Sequence, residues 1–100
     1  MTTTHATHCP QLAHMLPTII GNDTTHAHWL NSLSMMESVG ARKIAAYVHP
    51  LHVDLITLQH AFEEARHAYF LKRQINKLAI DCPDYTGAYL LAPRASFRYL

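Results

Sequence analysis

Glu64 and His67, in the stretch AFEEARHAYF at residues 61–70, are the side chains of this chain best spaced to do chemistry. Three residues apart on a helix, a carboxylate and an imidazole project from one face, a turn apart. Such a pair suits a divalent metal, because the carboxylate neutralises charge and the imidazole adds a softer nitrogen ligand. The same residues also fit a plain reading, a buried carboxylate paired with a histidine or kept protonated. Glu63 falls on the polar strip beside Arg66. An ion pair at that spacing contributes only tenths of a kcal/mol, and Glu63 receives no ligand role.

A third donor comes from upstream. Leu30, Leu33, Glu37, Gly40, Ile44 and Tyr47 recur at steps of three and four, a helical seam in which Glu37 stands among apolar residues. Folding the chain back on itself near residues 50–51 brings Glu37 to the height of Glu64. Two carboxylates facing each other across a seam repel and lose hydration unless a positive charge lies between them. Glu37, Glu64 and His67 are therefore the candidate metal ligands. His60, one turn before Glu64, is a possible outer-shell partner, an extra ligand, or a satisfied core histidine. Gly40, one turn from Glu37, either leaves room for a small molecule or lets the helices pack closely. Tyr47, Tyr69 and Phe70 read as packing residues. His5, His8 and Cys9 read as a flexible tail rather than a site.

Two helices must position these groups. GNDTT at 21–25 is a turn with capping chemistry, Asp23 or Thr24 accepting from an orphan N–H. A helix over about 24–48 follows, and His49-Pro50 ends it, since the residue before proline is driven out of the α region. A second helix over about 52–80 carries Val53, Ile56, His60, Glu64, His67, Leu71, Ile75 and Leu78 on one face. Leu55, Leu58, Phe62 and Tyr69 widen its apolar arc, which suits a bundle interior. A short connection makes the pair antiparallel. Residues 1–22 read as a flexible or short-helical lead. Residues 81–100 read as a turn and, from Pro93, the start of a further helix.

Bulk composition narrows the classes. Of 100 residues, 49% are apolar and only 15% charged, which hints that apolar surface meets another chain or further sequence. A net charge of +1 without a basic block argues against nucleic acid. No apolar run is long enough to span a membrane, and MTTTHATHCP lacks a signal-peptide pattern. Cys9 and Cys82 make neither a disulfide framework nor a zinc knuckle, so a reducing, cytoplasmic setting is expected. Nine histidines raise the metal expectation without naming a site. No G-x-S-x-G or H-E-x-x-H motif is present.

A first-helix glutamate followed on the next antiparallel helix by EEARHAYF resembles the ferritin-like di-iron carboxylate proteins, on their oxidase and oxygenase side, over residues 25–78. The resemblance implies an all-α fold, an antiparallel hairpin forming half of a ferritin-like four-helix bundle. It also implies two iron ions per completed bundle, with Mn or Zn as alternatives, plus O2 and a small-molecule substrate. Glu37 would be the terminal first-helix ligand, Glu64 the bridging carboxylate and His67 the terminal imidazole. The family pattern needs two such halves, and no glutamate follows Glu64. The second half is expected either from a homodimer or from a C-terminal half beyond Leu100. A metal-free helical dimerisation or adaptor module and a ferroxidase are the alternative functions.

Overall fold

The computed structural model describes residue 17 and residues 21–93. The expected further helix from Pro93 and the lead before Gly21 lie almost wholly outside those residues. Helix α1 runs Asp23–Ala46. Its cap is Asn22, one residue before the expected Asp23 or Thr24. Asn22 is extended, with φ −123° and ψ 115°, and its Oδ1 accepts the Thr25 N–H at 3.0 Å. Asp23 is left as a first-turn acid, where it complements the helix dipole. The helix ends two residues earlier than expected. The N–H groups of Tyr47 and Val48 tighten onto Ile44 and Ala45 carbonyls at 3.1 and 3.2 Å.

The connection spans residues 47–54 and is centred between Pro50 and Leu51. Within it the His49 imidazole serves as a turn acceptor. Its Nδ1 takes the N–H groups of Leu51 and His52 at 3.0 and 3.2 Å. Asp54 then caps helix α2, Leu55–Lys77, accepting from Thr57 N at 2.7 Å. A start at 52 is thus corrected by three residues, because only Asp54 offers a cap side chain to the first turn. Past Lys77, Leu78 and Ala79 close the helix with bonds to Ile75 and Asn76 carbonyls. Ala79 takes φ 57°, a left-handed conformation that glycine favours at helix ends.

The two helices pack against each other as an antiparallel hairpin, with rising numbers on α1 meeting falling numbers on α2. Ala27 and Leu30 meet Leu71, Ile75 and Cys82 in one buried cluster, flanked by Trp29, Leu33, Leu78, Ile80 and Tyr89. Each large buried aliphatic there contributes about 1.5–3 kcal/mol. This core lies at the end of the hairpin away from the connection. The connection end is uncovered: Tyr47 is 91% exposed, Leu51 81% and Leu55 79%. Tyr47 and Ile56 were expected on the seam, yet Tyr47 lies beyond the end of α1 and Ile56 is 65% exposed. The buried residues of α2 are Ala68, Leu71 and Ile75, and repeated three- and four-residue steps carry Ile56 away from them.

Residues 78–93 turn back over α1 through a single 3-10 turn, Gly87–Tyr89. The docking is polar. Fully buried Asn31 donates through Nδ2 to the carbonyls of Asp84 and Tyr89, at 2.9 and 3.1 Å. Ser32 Oγ accepts from Leu91 N at 2.8 Å. Among the described residues no helix is long and apolar enough to cross a membrane.

Candidate functional site

Glu37 lies past the middle of α1, while Glu64 and His67 lie one turn apart on α2. The hairpin brings all three together. Glu37 Oε2 stands 3.7 Å from His67 Nδ1, within ion-pair range but longer than a hydrogen bond. Both side chains are mostly buried, with 19% and 17% of their surface exposed. Burial pushes the Glu37 carboxyl above the usual carboxylate range, and the neighbouring Glu64 carboxylate pushes it further; His67 pulls the other way. The expected meeting of two carboxylates at matched height is present in the geometry. The symmetric connection is what makes it so.

Gly40, one turn on from Glu37, is the inner wall for Glu64. A methyl group built on Gly40 would collide with Glu64 Oε2 and lie 3.1 Å from its Cδ. Beside these groups a shallow depression of about 200 Å³ is lined by Ile44, His60, Glu63, Glu64 and His67. His60 is exposed at its rim and therefore not a core histidine. Glu63, expected to pair with Arg66, instead accepts from Gln59 Nε2 at 3.1 Å. On α2, Ile56, His60, Glu63, His67, Phe70 and Gln74 follow at steps of four and three, so the depression opens on one flank of that helix.

Four residues outside the expected site, Ser34, Tyr85, Lys72 and Asn31, set the register around this height. Ser34 Oγ lies 2.7 Å from the Ala68 carbonyl and 2.7 Å from the Tyr85 hydroxyl. A serine has one proton to give, so when Ser34 donates to Ala68, Tyr85 donates to Ser34. That bond ties α1, one turn before Glu37, to the residue after His67. Lys72 donates to Asn31 Oδ1 at 2.6 Å and to the Cys82 carbonyl at 2.7 Å, with the Tyr85 ring 5.0 Å below its ammonium. The signal for this polar face was the run Ala27, Asn31, Ser34 at steps of four and three, in which two polar residues share a helix face with a buried alanine.

Among the described residues no three His, Cys, Asp or Glu side chains are already arranged as a metal cage. Glu37 faces both Glu64 and His67. Two carboxylates and an imidazole are nevertheless donor types that divalent cations take. A carboxyl whose ionisation is opposed by burial and by a second carboxylate ionises readily once a cation stands between them. No protein-family model, no curated protein and no solved structure matches the chain.

Proposed function

We propose that this hairpin is one half of a ferritin-like di-metal protein, with iron as the metal, that activates oxygen in an oxidase or oxygenase reaction. The observation that carries the reading is the meeting of Glu37 with Glu64 and His67 across two helices. In the completed bundle Glu64 would bridge the ions, and Glu37 and His67 would be terminal ligands. Mn or Zn suits the same donors. A bound ferrous pair supplies electrons and open positions for O2. The chain's own part is to orient those donors, to leave the depression beside Ile44 open to a small molecule, and to move protons through His60 at its rim.

Three donors are half of the set such a bundle uses. A second copy of this chain, or a C-terminal half, would bring the others. Exposed Ile56 and Phe70, on the same flank of α2 as His60 and His67, give that second hairpin an apolar surface to cover. A twofold dimer would place each depression against its counterpart.

The test is anaerobic loading with Fe(II), then oxygen uptake recorded beside the optical spectrum. Uptake by the native chain and its loss in Glu64→Ala are expected. A chain that takes up neither iron nor manganese sinks the proposal. Oxygen consumption with no product but water or peroxide and oxidised iron would favour a ferroxidase.

A second reading, a metal-free helical dimerisation or adaptor module, draws on the other flank of α2. There Leu55, Leu58, Phe62 and Tyr69 are all more than half exposed. It predicts a melting temperature that chelators leave unchanged.

A further inference from the structure

We infer that Gly40 is the positioning residue of the site: its missing side chain is the space in which the Glu64 carboxylate sits beside Glu37. The inference rests on the metal reading for its consequence, but its geometry stands apart from it.

A glycine in the interior of a helix is normally a weakness, because alanine there costs less backbone entropy. Gly40 lies six residues before the C-terminal end of α1. Its backbone has no need of glycine, since no described glycine has a positive φ. The need is spatial. The three atoms nearest to a Cβ built at Gly40 all belong to the end of the Glu64 side chain: Oε2, Cδ at 3.1 Å and Oε1 at 3.6 Å. No backbone atom of α2 comes as close as these. Helix–helix closeness alone would put a backbone or Cβ atom of α2 nearest to the position, and none is among those three.

The obstacle is therefore the far end of a flexible side chain, which can rotate away at little cost. A methyl group at 40 leaves the hairpin folded and moves the carboxylate. Glu64 would swing towards the depression and solvent, out of reach of a cation shared with Glu37 and His67. This separates Gly40 from ordinary packing residues, where enlargement costs stability first. Here enlargement gains helix propensity and loses the site.

The experiment compares the full chain with Gly40→Ala in three measurements. Thermal unfolding of the metal-free proteins should give the variant an equal or higher Tm. Titration with Co(II), followed by its visible absorption, should show affinity at least tenfold weaker in the variant. In the metal-free state the side-chain carboxyl ¹³C resonance of Glu64, assigned with Glu64→Gln, should move. Unchanged Co(II) affinity together with an unmoved Glu64 resonance overturns the inference. A native chain that binds no Co(II), Mn(II) or Fe(II) removes the metal reading, and the Glu64 resonance then decides the role of Gly40 alone. Should Gly40→Ala lower Tm, adding Glu64→Ala restores it if the carboxylate is what the methyl meets. A Tm that stays low in the double variant overturns the assignment.

Discussion

Lys72 places its ammonium 2.6 Å from Asn31 Oδ1, joining a half-buried cation on α2 to a fully buried amide on α1. The amide is fully used: its oxygen accepts from Lys72, and its nitrogen donates to the Asp84 and Tyr89 carbonyls. One side chain therefore ties both helices to the returning segment.

Asn31→Ala leaves an ammonium and two carbonyls short of partners, at about 1–3 kcal/mol for each group left unsatisfied. With water reaching part of the site, a total loss of about 2–3 kcal/mol is expected, roughly 10 °C or more in Tm for a chain of this size. Asn31→Asp keeps the acceptor for Lys72 and loses both donors, so it should fall between. Thermal unfolding of the two variants checks the order. Equal Tm for Asn31→Ala and the native chain would remove Asn31 from the account.

The Asp54 cap makes a second, independent prediction. Its carboxylate accepts from Thr57, which holds its pKa below the ordinary carboxylate value. A depressed folded pKa gives stability that is present above the unfolded value near 3.8 and lost as pH falls through the folded one. Asp54→Ala should lower stability near neutral pH and flatten this part of the acid limb. Asp54→Asn should retain most of the cap and also flatten the limb. Urea unfolding at several pH values between about 2 and 6 would read both.

These two sites show where the sequence was readable. Two helices, their antiparallel pairing and the matched heights of Glu37 and Glu64 followed from three- and four-residue steps and from His49-Pro50. The cap residues were misplaced because Asn22, Asp23 and Thr24 are all competent acceptors, and backbone torsion alone chooses between them. Ile56 was misplaced because the apolar pattern of α2 is wider than the strip that α1 covers. The Asn31–Lys72 and Ser34–Tyr85 contacts join residues 41 and 51 positions apart. No local periodicity encodes such partners.

Glu37 carries a cost that the metal-free protein should reveal. Burial and the Glu64 carboxylate raise its folded pKa above the unfolded value. Between those two values the folded state holds more protons than the unfolded one, so stability falls as pH rises through that window. The groups facing Glu37 are Glu64 and His67. Glu37→Gln should remove this fall and leave the metal-free chain more stable than the native one at pH 8. Calorimetry at pH 5 and pH 8 compares the two slopes, and a native slope identical to that of Glu37→Gln would count against the buried carboxylate pair.

His67→Ala should spare the fold, since its polar contact among the described residues is the 3.7 Å approach to Glu37 rather than a core hydrogen bond, and should shift Tm by less than about 1 kcal/mol would. It should weaken cation binding at least tenfold in equilibrium dialysis with Mn(II). Unchanged binding would show that the imidazole is not a ligand.

The central claim is that Glu37, Glu64 and His67 form the donor set of a metal site. Equilibrium dialysis of the native chain against Fe(II) without oxygen, with Glu37→Gln and Glu64→Ala alongside, tests it most directly. Saturable iron binding by the native chain and its loss in both variants are expected, with each variant still helical by circular dichroism. No saturable binding by the native chain, or binding that survives both substitutions, would contradict it.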